Sequence, residues 1–236
     1  MEARLFGALA TLTVFAGSLS VAHGDTKTWT GASSALWSDS ANWTGGVPVA
    51  GDRIVFHEEA MNRSTINDLA PGTVFFDITF FGTGYTVAGN DLGLSGGILN
   101  YGVNTVAAGL SLLSSQTFNG SQALFVTPPM ITGEVDLGSN NLTLINVRIS
   151  GPIVGPGTVT VAGGAGGGAV LEGISTYTGP TTVSGELEVT GAITSSVAVG
   201  GQLSGTGQVG TVVTQANSGV SPGTLRGGTP GRLTTL

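Results

Sequence analysis

Few residues in this 236-residue chain are suited to chemistry. His57 is the only histidine after His23, so any Ser-His-Asp arrangement further along the chain would have to be built on it. It opens the most polar stretch, residues 57–70, which begins His57-Glu58-Glu59 and reads as a solvated loop with a short helical turn over residues 58–62. Neighbouring side chains of an extended segment point to opposite sides, so His57, Glu58 and Glu59 do not converge on a metal ion. Two carboxylate pairs, Glu134 with Asp136 and Glu186 with Glu188, stand at i, i+2 and therefore share a strand face. A glycosidase works with paired carboxylates. Here no basic residue accompanies either pair, and outward charge that keeps a strand soluble is the expected role. The run Gly163 to Gly168 lacks the Lys-Ser or Lys-Thr of a phosphate loop and the aspartates of a calcium-binding repeat. Cysteine is absent, which removes thiol chemistry and disulfides. The expectation is a chain with no catalytic, cofactor-binding or metal-binding residue and no cofactor.

The remaining candidates are aromatic. Trp29, Trp37 and Trp43 are the only tryptophans, all within residues 25–56. Their rings could form a carbohydrate platform, since aromatic faces stack on sugar rings. The competing role is an N-terminal aromatic cap covering the open end of a repetitive fold, as terminal repeats require, and this is the expected one. Asp39 and Asn42 read as turn formers.

The elements that would position these residues are short strands. Between Ala169 and Gly191, Val170-Leu171 ends one strand and Tyr177-Thr178-Gly179-Pro180 makes a corner. Thr181-Thr182-Val183 is a second strand, Ser184-Gly185 a turn and Glu186 to Thr190 a third. Leu187 and Val189 alternate with Glu186, Glu188 and Thr190, so one side faces a core and the other water. Each segment buries too little to stand alone and needs a near-copy stacked on either side. That is the logic of a β-solenoid. Similar segments recur from Gly72 to Val161, with Val74, Phe76, Ile78, Leu92, Leu94, Leu142, Leu144, Val147 and Ile149 on the expected core side. Val197, Val199, Leu203, Val209, Val212 and Val213 continue it. Pro128-Pro129 marks a corner or protruding loop. About 20–25 residues per turn and a strand spacing of about 4.8 Å give roughly seven or eight turns over residues 70–236.

The stretch Ser175-Thr-Tyr-Thr-Gly-Pro-Thr-Thr-Val-Ser-Gly-Glu-Leu-Glu-Val-Thr-Gly191 resembles the autotransporter-associated β-strand repeat of bacterial surface and secreted proteins. The motif residues are Tyr177, Thr178, Gly179, Thr181, Thr182, Val183, Leu187, Val189 and Gly191. One residue is missing between Ser184 and Glu186 relative to the commonest spacing. Trp-Thr-Gly at residue 29, the Gly-Tyr-Thr-Val-Ala-Gly segment at residue 84 and the corners Ser221-Pro222-Gly223 and Thr229-Pro230-Gly231 resemble flanking parts of the same family. The resemblance implies an all-β, right-handed single-stranded parallel β-helix in an exported, passenger-type bacterial protein. It implies no reaction.

Composition agrees with a strand-rich fold. Forty-one glycines disfavour a helical globule, because each interior glycine weakens a helix by about 1 kcal/mol relative to alanine. A net charge of −7 with seven Lys and Arg offers no basic face for nucleic acid. Residues 1–24 read as a signal peptide, with Arg4, an apolar run from Leu5 to Leu19 and a small-x-small site at Ala22-His23-Gly24. No other apolar run is long enough for a transmembrane helix in the mature chain. The expected organisation is a signal peptide (1–24), a Trp-rich cap region (25–70) and a parallel β-helix (71–236) with an uncapped or truncated C-terminal end. The expected function is a non-enzymatic exported solenoid: a structural, adhesin or extracellular-matrix component at the cell surface, on the outer membrane or released outside the cell. Its partners would be cell-surface glycans or another such solenoid. The alternative is a carbohydrate-binding or polysaccharide-degrading module.

Overall fold

The computed structural model describes residues 24–120, 130–163, 167–223 and 232–235. The signal segment to His23, Pro128-Pro129 and the corner at residues 229–231 lie outside the described residues. Among the described residues the chain is a β-solenoid of parallel strands, and the one helical segment is the 3-10 turn Ser40–Asn42. The helical turn expected over residues 58–62 is a non-helical turn at residues 58–59. No helix among the described residues is long and apolar enough to cross a membrane.

Each full rung contributes strands to three faces. On the first face Leu110–Leu112, Val135–Asp136 and Ile153–Val154 stack, and the sheet of Ile174–Ser175, Ala192–Ile193, Gln208–Val209 and Thr234–Thr235 follows. On the second face Thr26–Trp29, Arg53–Phe56 and Thr73–Phe80 start a column that continues to Val212–Thr214. The third face is a nine-stranded parallel sheet from Ser64–Asn67 to Gly219–Pro222. Eight of those nine strands lie beyond residue 70, in line with the expected number of turns.

Stacked apolar columns make the core. On the second face Ile98, Phe118, Leu144, Val161, Val183 and Val199 are register partners in succession, and each is at most 5% exposed. Every rung thereby buries an apolar side chain on the one below. Parallel stacking also satisfies the backbone groups that a lone strand would leave open. Rung length varies along the axis. Val199 pairs with Thr214 at little more than half the sequence separation of Thr26 and Arg53, while Phe118 and Leu144 between them pair nearly as far apart as the first two. The corners absorb the difference while the columns hold.

Stacking begins before the expected boundary at residue 70, because Thr26–Trp29 and Arg53–Phe56 already pair in parallel as first rungs. The short antiparallel strand Trp43–Thr44 lies on the outer side of Thr26–Trp29. Two core expectations fail in one strand. Phe75 is fully buried, whereas Val74 and Phe76 are only half-buried. The register shifts between Phe75 and Asp77 against an extra residue in Leu92–Asn100. The alternation therefore slips by one at this corner and resumes with Ile78 and Phe80 inside. Val213 is 58% exposed; it follows Val212 directly, and two successive strand residues cannot both face the core.

Candidate binding groove

The three tryptophans point inward. Trp29, Trp37 and Trp43 are 1%, 0% and 6% exposed, and Trp29 meets Trp43 edge-on with ring centroids 4.9 Å apart. Phe56 stacks on Phe80 beneath them at 4.8 Å. Each indole N–H is satisfied internally: Trp29 donates to the Asn62 carbonyl at 2.7 Å, Trp37 to Thr65 Oγ1 at 3.1 Å and Trp43 to the Trp37 carbonyl at 2.8 Å. The carbohydrate platform, the alternative to the expected cap at these residues, is therefore corrected. Burying the large ring areas leaves no face for a sugar.

Asn42 organises the loop that carries them. Its amide oxygen accepts from Ser33 N and Ser34 N, and its nitrogen donates to Ser34 Oγ and the Leu36 carbonyl, all between 2.8 and 2.9 Å. Asp39 caps the 3-10 turn by accepting from Ala41 N. Both act as turn formers, as expected. Below them Lys27 is buried, donating to the Gly45 carbonyl at 2.7 Å with Asp25 and Asp52 at 3.3 and 3.8 Å.

The repeat-motif residues divide by face. Tyr177, Thr181, Val183, Leu187 and Val189 are fully buried, while Thr178 and Thr182 face water and Gly179 and Gly191 sit half-buried at corners. Gly179 approaches the Gly157 carbonyl so closely that a Cβ would lie 2.3 Å from its oxygen. Burial pushes the Tyr177 phenol pKa up, against the lowering effect of the nearby Ser195 and Thr181 hydroxyls. Glu186 and Glu188 lie on the outward side of their strand, and Glu134 is exposed with Asp136 half-buried. Asp136 accepts from Gly138 N at 2.9 Å, which is a turn-forming contact. Among the described residues no three His, Cys, Asp or Glu side chains cluster as metal ligands do.

What the structure brings together is a groove of about 630 Å³ on the outer side of the second face, within the roughly 300–1,000 Å³ range of small-molecule sites. It crosses five rungs. One column of its floor reads Thr26, Arg53, Asp77, Gly97, Thr117 and the next Thr28, Val55, Thr79, Leu99, Asn119. Gly96 and Gly97 carry no side chains, so the floor dips there. Gly97 also has φ of +101°, and a Cβ would lie 2.3 Å from the Thr117 carbonyl oxygen. Arg53 Nε donates to both Asp77 carboxylate oxygens, at 2.9 and 3.0 Å, and its guanidinium lies 5.4 Å from the Phe76 ring centroid.

One rim of the groove carries His57 and Phe81, two residues beyond the floor, and Tyr101 continues their ladder of rings. His57 stacks on Phe81 at 5.0 Å, and Phe81 on Tyr101 at 5.4 Å with planes 8° apart. Phe81 and Tyr101 remain 45% and 41% exposed. Sequence reasoning missed this assembly. Its signal was the rung spacing: Arg53, Asp77, Gly97 and Thr117 follow one another at nearly even steps along the chain, yet they belong to segments unlike one another in sequence.

Comparison with known protein families, curated proteins and solved structures finds no match to this chain. The fold itself defines it as a parallel β-solenoid with an open polar-apolar groove on one face.

Proposed function

We propose that this chain is a non-enzymatic exported solenoid that makes contacts outside the cell, as a structural, adhesive or matrix component of the autotransporter-associated repeat type. The observation that supports it most is the unbroken inner column from Ile98 to Val199. Such stacking builds a rod whose faces are free to make contacts along its length. The charged pair in the groove, Arg53 with Asp77, is already mutually bonded, which suits binding better than proton transfer. The test is expression of the full chain in a Gram-negative host, followed by fractionation and N-terminal sequencing. Export predicts mature protein beginning at Asp25 in the periplasm, outer membrane or medium. Full-length protein retained in the cytoplasm with residues 1–24 intact would overturn it.

A second reading, a carbohydrate-binding module, is favoured by one observation. The groove pairs polar side chains with a rim of exposed rings, and it replaces the tryptophans as the surface concerned.

A further inference from the structure

We propose that the groove binds a neutral saccharide chain lying along the solenoid axis, with Arg53 and Asp77 together holding a pair of adjacent hydroxyls. This deepens the carbohydrate reading and rests on the chain being a contact-making solenoid.

The first argument is the donor and acceptor pattern. Arg53 bonds to Asp77 through Nε alone. Of the five N–H donors of a guanidinium, four are left for a ligand. Each Asp77 oxygen keeps a second lone pair. Donors and acceptors therefore stand side by side on one edge. A vicinal diol, in which each hydroxyl both donates and accepts, complements that edge.

The second argument is charge. Arg53 and Asp77 cancel, and the chain as a whole carries −7. An anionic ligand would meet the Asp77 carboxylate and a repelling field, so an uncharged ligand fits better.

The third argument is periodicity. Along the axis the column Thr28, Val55, Thr79, Leu99, Asn119 alternates polar with apolar. Successive members are one rung apart, about 4.8 Å, so the column spans about 19 Å. A saccharide chain presents the same alternation, hydroxyl groups interleaved with C–H patches. Among the described residues the Asn119 side-chain amide has no hydrogen-bond partner, which leaves it to meet the far end of the ligand. An extended peptide is disfavoured because peptides add to sheet edges, and this groove lies on a sheet face.

The test is calorimetric titration of the full chain with neutral hexasaccharides (cello-, xylo-, manno- and maltohexaose) and with oligogalacturonate. At least one neutral hexasaccharide should bind, with little dependence on salt. Its Kd should rise about tenfold or more, the equivalent of about 1.4 kcal/mol, in Asp77→Asn, in Arg53→Ala and in Asn119→Ala. Thr182→Ala, which changes an exposed threonine of the same face beyond the groove, should leave the Kd unchanged. Circular dichroism confirms that each variant is folded, and Asn119→Ala alters only an outward side chain should either charge variant fail to fold. Binding of oligogalacturonate alone overturns the proposal. So does neutral binding that survives in all folded groove variants, or no binding by any sugar. Beads coated with the chain separate the two levels. If they adhere to bacterial cells while no hexasaccharide binds, the groove assignment falls and the contact-making reading stands. If neither occurs, both fall.

Discussion

Tyr177 and Ser195 are joined through a single hydroxyl: Thr181 Oγ1 lies 2.6 Å from Tyr177 Oη and 2.7 Å from Ser195 Oγ. All three are buried, on different strands or corners of adjacent rungs. A hydroxyl chain satisfied in this way ties a corner to the next rung without charge, and any member left alone would be an unpaired buried dipole.

Tyr177→Phe should therefore cost about 1 kcal/mol at neutral pH. Burial raises the Tyr177 pKa above 10.0, so the folded state holds its proton when the unfolded chain has lost it. The native protein keeps this contribution below pH 10.0 and loses stability as pH rises beyond it. Tyr177→Phe cannot titrate and should show a flatter alkaline decline. Urea midpoints of both proteins from about pH 8 to about pH 11 make the comparison, and equal slopes would contradict it.

The buried indoles make a second prediction. Native emission should be blue-shifted and nearly immune to acrylamide, and saccharides in the outer groove should leave it unchanged. Trp37→Ala, at a site of 0% exposure, should cost about 3–5 kcal/mol. Quenching as efficient as that of free tryptophan would refute the burial.

Gly97 and Gly46 form a matched pair for testing the groove floor. Both have positive φ, +101° and +83°, but a Cβ at Gly46 meets nothing within 4 Å. Gly46→Ala should cost only the left-handed backbone penalty, about 1–2 kcal/mol. Gly97→Ala adds a clash with the Thr117 carbonyl and should cost about 2–5 kcal/mol in all. Denaturant melts of the two variants that gave the same loss would remove the close approach as a cause.

Acid should loosen the first rungs. Hydrogen bonds from the Ser34 hydroxyl and Ala41 N hold the Asp39 pKa below 3.8. At Asp68 burial pushes upward, and the Ser38 hydroxyl and backbone N–H groups outweigh it, leaving that pKa below 3.8 as well. Depressed carboxylate pKa values stabilise fully above 3.8, and the contribution fades as pH falls through the folded values. Asp39→Asn and Asp68→Asn should thus melt below the native protein at neutral pH and converge with it in strong acid. A gap that persisted undiminished in acid would mean the carboxylate charge is not the cause.

Strand alternation made much of this fold legible. Leu187, Val189 and the Thr181 to Val183 segment were readable because each strand obeys a period of two and stops at glycine or proline. Phe75 was not, since the slip that buries it arises from an extra residue in the neighbouring strand. The tryptophans were found but their side of the sheet was ambiguous, because Trp37 lies in loop rather than alternating strand. The groove was invisible for another reason. Arg53 and Asp77 stand a whole rung apart in sequence and become neighbours only once the rung length is known. That length changes from the Thr26 and Arg53 pair to the Val199 and Thr214 pair, which hides it from any fixed repeat.

Those unequal rungs also write a mechanical signature. A solenoid held by nearest-neighbour stacking yields one turn at a time when pulled from an end. Each released turn lengthens the tether by its own extended length. At about 3.4 Å per residue the rung from Val199 to Thr214 would give a step of about 50 Å and that from Thr26 to Arg53 about 90 Å. The aromatic end, Trp29 to Phe80, is the more heavily packed and would hold longest. A molecule stretched from its C-terminal side would thus let go in a series of unequal steps, each set by the length of one rung, rather than in a single snap.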